Sequence, residues 1–222
     1  MTQLAERKET AAPRPGQEAL KRLTDVVVSL AMIVILAPLL LVLWLLVRST
    51  SAGPALFRQQ RLGRDQRPFT LLKFRTMYVD NDDRIHRDYV ASLLSEDGPA
   101  AATGNGLFKL DGDPRVTRLG AWLRRTSLDE LPQLVNVLCG EMSLVGPRPV
   151  LPWEAKLFDE PHQRRFAVKP GMTGLWQVSG RSRLSMRTAL ELDVEYVLRR
   201  SFVLDLAILA RTLPAVLRGG AS

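Results

Sequence analysis

Residues 124 to 138 read RRTSLDELPQLVNVL. A cationic pair, Arg124 and Arg125, runs into Thr126 and Ser127. A carboxylate pair, Asp129 and Glu130, follows, and then the chain turns apolar. Such a stretch can cap a helix. Ser127 and Glu130 fit the S-x-x-E capping box, in which each side chain satisfies an orphan backbone N–H, and Asp129 in a first turn is favourable against the helix dipole. It can also do chemistry. A carboxylate is a competent nucleophile toward phosphorus and forms an acyl phosphate, and arginine forks bind phosphate through paired hydrogen bonds. Pro132 bears on the choice. With Ser127 as N-cap it would be the fifth helical residue and would lose a backbone hydrogen bond. With a helix starting nearer Asp129 it would fall in the tolerated first turn. On these residues alone both readings stay open.

Composition narrows the chemistry. The chain has 222 residues, 46% of them hydrophobic, enough for one sizeable domain with a core. Its formal net charge of +8 predicts an anionic partner: nucleic acid, anionic lipid or a phosphorylated substrate. Aromatic residues make up only 6% and no nucleic-acid-binding signature occurs, which argues against nucleic acid. Cys139 is the single cysteine, so no internal disulfide can form. With His86 and His162 far apart, a zinc site has too few ligands. A metal here should be a hard cation held by carboxylates. The acidic group Asp80, Asp82, Asp83 lacks the spacing of a calcium loop and reads as a solvated helix start.

Several elements must position these residues. Val26 to Val47 contains no charge in 22 residues, and only Ser29 and Pro38 interrupt its apolar character. As a helix it would be about 33 Å long, which is membrane length. Pro38 removes the bond to the Val34 carbonyl and predicts a kink. Lys21 and Arg22 precede the run, and Arg48, Arg58, Arg61 and Arg64 follow it, so charge gives no orientation. Two topologies are open: a kinked single-pass anchor, or a re-entrant hairpin that bends at Pro38 and rests both basic flanks on one anionic leaflet.

The remainder reads as short elements. A strand is predicted near Phe69 to Leu72 with a turn at Gly63-Arg64-Asp65, and a helix near Asp82 to Leu94 followed by a loop. Residues 114–125 have helical spacing with a basic face, and a further helix should end at Gly140. Arg148 is held between Pro147 and Pro149 in extended backbone. Gly171, Gly174 and Gly180 permit close approach to a ligand. Residues 188–200 form a helix, and 201–218 suit a helix lying in a membrane interface.

Four segments, KRLTDVVVSLAMIVILAPLLLVLW, LLKFRTM, RRTSLDELPQLVNVLCGEMSLVGPRP and PGMTGLWQVSGR, together resemble the bacterial sugar transferases. These are the monotopic polyprenyl-phosphate phosphoglycosyl transferases, and the resemblance is to their compact form. It spans about residues 20 to 218. It implies a mainly α fold with a small β element: a flexible tail (1–20), a re-entrant membrane hairpin kinked near Pro38 (21–48), and a cytosolic catalytic domain with in-plane amphipathic helices (49–218). It implies transfer of a sugar 1-phosphate from a UDP-sugar to undecaprenyl phosphate with release of UMP. Members begin exopolysaccharide, O-antigen or glycoprotein glycan assembly on the cytoplasmic face of the inner membrane. By motif position Asp129 would be the nucleophile and Glu130 the Mg²⁺ ligand. Arg124 and Arg148 would face phosphates, with Lys73, Arg75 and Arg181 as further pocket residues. Expected partners are the UDP-sugar donor, undecaprenyl phosphate, membrane lipid and, in a homodimer, a second copy of the chain. The family often has Ser before the proline where this chain has Ala37. The competing class is a catalytically inactive membrane-anchored scaffold, which would not need Asp129 and Glu130.

Overall fold

The computed structural model describes residues 15–79, 113–180 and 184–219. It is mostly helical with a small sheet component. The helix expected over Asp82 to Leu94 lies outside the described residues.

Helix α1 runs over Pro15–Thr50, 36 residues with Pro38 inside. It begins within the stretch expected to be a flexible tail. It is one helical element, where a hairpin of two limbs was expected. Among the described residues it alone is long and apolar enough to cross a membrane. Its middle is bare, with Val34 and Ile35 exposed at 65% and 73%. Its two ends are not. Asp25 and Ser29 are buried near one end, Leu43 and Val47 near the other.

Strands β1 (Leu56–Leu62) and β2 (Pro68–Phe74) form an antiparallel hairpin, with Leu56 opposite Phe74 and Leu62 opposite Pro68. The strand expected from Phe69 is therefore longer than its apolar residues suggested, and it has a partner. A 3-10 turn at Arg64–Gln66 joins the two, as the Gly63-Arg64-Asp65 signal predicted. Helix α2 (Arg118–Thr126) is capped by Thr117, whose side chain accepts from the Gly120 N–H. A 3-10 turn over Leu128–Glu130 leads to α3 (Gln133–Cys139), which stops at Gly140 in the left-handed conformation. The three-residue strands β3 (Ser143–Val145) and β4 (Gly171–Thr173) pair in parallel. Between them lie α4 (Pro152–Ala155) and α5 (Glu160–Gln163). Helices α6 (Leu175–Ser179), α7 (Met186–Arg199) and α8 (Phe202–Gly219) follow.

Two of the glycines singled out for close approach, Gly171 and Gly174, are required by the chain itself. A Cβ on Gly171 would meet the Gly146 nitrogen at 2.1 Å, and one on Gly174 would meet the Gly146 oxygen at 2.4 Å. They let β4 close on the segment after β3.

The main core gathers Phe69 and Leu71 of β2, Leu134 and Val137 of α3, Leu144 and Val145 of β3, Tyr196 of α7 and Ile208 of α8. Val28, Met32 and Ile33 of α1 pack against it. A second cluster holds Leu43 and Val47 of α1 with Ala55, Phe74 and Leu123, and Leu131 touches both clusters. Both ends of α1 thus rest on one continuous body. Asn136 ties α3 to that body. Its amide accepts from the Leu72 N–H (3.0 Å) and donates to the Thr70 carbonyl (2.7 Å), standing in for a neighbouring strand of β2.

Candidate active site

The site is built at the junction of α2 and α3. The capping box does not form. Ser127 ends α2 in the left-handed conformation (φ 57°), its N–H donating to the Leu123 carbonyl, and its side chain caps nothing. This sharp reversal turns Leu128–Glu130 into a 3-10 turn, with the Glu130 N–H reaching the Ser127 carbonyl at 3.3 Å. Pro132 sits just before the first residue of α3, where its missing N–H costs no interior helix bond. The carboxylate pair is therefore carried on a turn between two helices. Asp129 is buried at 5% exposure, and Glu130 is half-buried beside it.

Four cations feel the charge of the pair. Lys73, next to last in β2, is half-buried, and its ammonium lies 5.3 Å from the Phe57 ring centre. Burial pushes it down to about 8; Asp129 and Glu130 pull the other way. Arg124, in the last turn of α2, is lowered by burial, with Asp129 and Glu130 again opposing. Arg61 of β1 is buried and pushed down to about 9 by burial first and by Arg148 second. Arg148 is lowered chiefly by burial. Glu130 acts on Arg61 and Arg148 as well, so all four cations feel at least one of the two carboxylates. Burying that much positive charge around two anions is unfavourable in isolation. It suits a third anionic group of high charge.

A model of the family described as bacterial sugar transferase matches residues 16–219. The chain belongs to the bacterial sugar transferase family. It is 41% identical over 210 residues to the exopolysaccharide production protein ExoY of Sinorhizobium fredii, covering 94% of this chain and 90% of that protein. It is 43% identical over 199 residues to the undecaprenyl-phosphate galactose phosphotransferase of Salmonella typhimurium, covering 90% of this chain and 40% of that protein. It is also 40% identical over 217 residues to the UDP-glucose:undecaprenyl-phosphate glucose-1-phosphate transferase of Caulobacter vibrioides, covering 92% and 72%. The chain thus spans nearly all of some relatives and about two fifths of others.

In this chain the residues expected at the site divide. Asp129, Glu130, Lys73, Arg124 and Arg148 come together. Arg181 lies outside the described residues. Arg75 goes elsewhere. Its guanidinium donates to the carbonyls of Pro54 (2.5 Å), Ser51 (2.7 Å) and Val47 (3.2 Å) and to Ser51 Oγ (2.9 Å). It closes the C-terminal end of α1, where the last carbonyls lack helical partners. The cause is positional: Arg75 lies one residue beyond β2, where the chain leaves the hairpin beside the end of α1.

Lys21 and Arg22, read as lipid-facing, also turn inward. Arg22 donates to the Val137 (2.7 Å) and Leu138 (2.8 Å) carbonyls at the end of α3. Lys21 pairs with Asp205 of α8 at 2.6 Å and donates to the Val145 carbonyl. Two buried site residues, Arg61 and Glu154, carry no local signal. Arg61 was read as one of several basic flank residues, and Glu154 was not singled out at all.

Proposed function

We propose that this chain transfers a sugar 1-phosphate from a UDP-sugar to undecaprenyl phosphate by a two-step exchange on Asp129. What supports the reading is the buried Asp129 beside Glu130, with Lys73 and Arg124 in the field of both carboxylates, in a chain of the bacterial sugar transferase family. In the first step an Asp129 carboxylate oxygen attacks the phosphorus that bears the sugar. The bond from that phosphorus to the bridging oxygen of UDP breaks, and UMP leaves with the electron pair. In the second step an oxygen of undecaprenyl phosphate attacks the same phosphorus. The acyl-phosphate bond breaks, the Asp129 carboxylate is restored, and the lipid carries a diphosphate-linked sugar. Both steps bring anions together, so Lys73, Arg124 and Arg148 are needed to offset the repulsion. Burial strengthens each of these contacts by lowering the local dielectric.

A hard divalent cation suits the donor set. Among the described residues no group of three or more metal-ligating side chains occurs. Two adjacent carboxylates with the oxygens of a substrate diphosphate match how Mg²⁺ is commonly held. Glu130 would hold it, and when bound it would neutralise charge on the diphosphate. Glu130→Gln should raise the Mg²⁺ requirement; an unchanged Mg²⁺ titration would count against Glu130.

The membrane arrangement we propose is re-entrant, on the cytoplasmic face. The packing of both ends of α1 on one body supports it, because a hydrocarbon core of about 30 Å cannot lie between surfaces in contact. The bare middle around Pro38 then dips into lipid. Lys21 and Arg22 face the protein rather than lipid headgroups, so packing rather than a shared basic surface favours this arrangement.

The activity test is incubation of detergent-solubilised protein with a panel of UDP-sugars, Mg²⁺ and undecaprenyl phosphate, with UMP as readout. An inactive scaffold releases none. For topology, single cysteines replace the exposed Gln17 and Gln60, with the exposed Cys139→Ser as background. An impermeant thiol reagent should label neither in intact cells and both in opened ones. Labelling at position 17 alone in intact cells would establish a spanning helix.

A further inference from the structure

Arg148 is flanked by prolines, but two rings restrict a backbone without aiming a guanidinium. Two buried ion pairs from distant parts of the chain grip this one residue. The first holds its side chain. Glu154, on α4, is 1% exposed. Its Oε2 accepts from the Leu151 N–H at 2.7 Å and lies 3.4 Å from Arg61 Nη1 and 3.6 Å from Arg148 Nη1. Arg61 is itself braced. Its Nη1 donates to the Pro149 carbonyl at 3.2 Å, and its Nε and Nη2 donate to Gln59 Oε1 at 3.1 and 2.7 Å. The adjoining chain is tied to the same strand, since the Leu62 N–H donates to the Val150 carbonyl at 2.9 Å.

The second pair holds the peptide carbonyl. Asp193, on α7, is 2% exposed and accepts from Arg165 Nη2 at 2.5 Å. The same Nη2 donates to the Arg148 carbonyl at 2.8 Å. The Arg165 guanidinium also lies 5.2 Å from the Phe158 ring centre, which fixes its plane.

Stability is a poor reason for such an arrangement. Desolvation of a buried ion pair offsets most of its attraction, and well-packed apolar residues often do as well. Burial pushes Asp193 up to about 6 even with Arg165 beside it, so the carboxylate is held there at a cost. Orientation is the benefit that apolar packing could not supply, because only a charged, directional partner aims a guanidinium.

We propose that Glu154 and Asp193 are positioning residues for the phosphoryl transfer: Glu154 holds the Arg148 side chain directly and with Arg61, and Asp193 holds the Arg148 carbonyl through Arg165, so that the guanidinium faces a substrate phosphate. This rests on the reading of Arg148 as a phosphate ligand.

A double-mutant cycle on kcat/KM for the UDP-sugar tests it, with UMP release as the rate and melting temperature as the control. Glu154→Gln and Asp193→Asn are each measured alone and with Arg148→Lys. Misplacing a binding group by about 1 Å can cost on the order of a hundredfold. Each single variant should therefore lower kcat/KM by about tenfold to a hundredfold, mainly through KM. In the Arg148→Lys background each should change it by less than about threefold, because little orientation is left to lose. Glu154→Asp, which keeps the charge, should recover part of the loss. Equal losses in both backgrounds would overturn the positioning role, as would single variants that turn over like the parent or an Arg148→Lys without effect. If Glu154→Gln does not fold, Glu154→Asp and Asp193→Asn carry the same comparison. A parent chain that releases no UMP from any sugar of the panel overturns function and positioning together, whereas additive losses overturn the positioning alone.

Discussion

Lys73 and Arg75 flank the same phenylalanine, yet they belong to different machines. Lys73 leans over the Phe57 ring within the field of Asp129 and Glu130. Arg75 donates to three carbonyls and a hydroxyl at the end of α1. The division recurs across the molecule. Arg124 ends α2 within the field of Asp129 and Glu130, and Arg61 and Arg148 meet at Glu154 and feel Glu130, while Lys21 and Arg22 join the other end of α1 to α8, β3 and α3. A net charge of +8 is therefore not one electrostatic surface. Cations whose partners are backbone carbonyls beside a helix end anchor the long apolar helix α1. Cations buried near a carboxylate pair lose proton affinity, chiefly through burial.

The largest effect should come from the centre of the catalytic set. Asp129→Asn should lower UMP release on the order of 10⁴-fold or more, with melting temperature and detergent extraction unchanged. A sizeable residual rate, after deamidation has been excluded by mass spectrometry, would sink the nucleophile role. Arg75→Ala should do the opposite. Charge-assisted hydrogen bonds contribute roughly 1.5–3 kcal/mol each. Losing this cap should therefore destabilise the fold by about 3 kcal/mol in a denaturant titration, while the protein that remains folded keeps its kcat/KM within a few-fold. Loss of turnover at unchanged stability would place Arg75 back among the catalytic cations and break the comparison.

Lys73→Met should mirror Arg75→Ala at smaller scale. Removing one electrostatic stabiliser should lower kcat/KM by about a hundredfold without lowering the melting temperature, because the charged ammonium is disfavoured at that position. The smallest effect is in pH. Lys73 is pushed down from 10.5 to about 8, so its positive charge is present below about 8 and lost above it. The folded value lies below the unfolded one, so the cost of the charged form is complete below about pH 8 and is relieved as pH rises toward 10.5. Activity runs the other way: kcat/KM, which reports the free enzyme, should fall as pH rises through about 8. Lys73→Arg should shift that limb upward, and an unshifted limb would assign it to another group.

The elements legible in the sequence were those with a strong local pattern. An uncharged stretch of 22 residues reads as a long apolar helix of membrane length, because a surface helix would carry a polar face. The helix stop at Gly140 and the turn before Phe69 followed from glycine chemistry. Strands β3 and β4 were not legible. Each has three residues, and neither exists without a partner far along the chain. The capping box failed for a related reason: Ser127 was already committed as the last cap of α2, a demand that the four letters S-L-D-E do not display.

Residue types and motif order alone determined the family, the carboxylate pair and the presence of a long apolar helix. Tertiary structure decided which cations serve the site. Arg61 and Glu154 meet across 93 residues, and Arg165 and Asp193 across 28. Arg75 was sent to the end of α1 by the path of one hairpin. A side chain's type sets what it can bind. Its partner depends on which carbonyl or carboxylate the folded backbone brings within about 3 Å, a hydrogen-bond distance that local sequence does not encode.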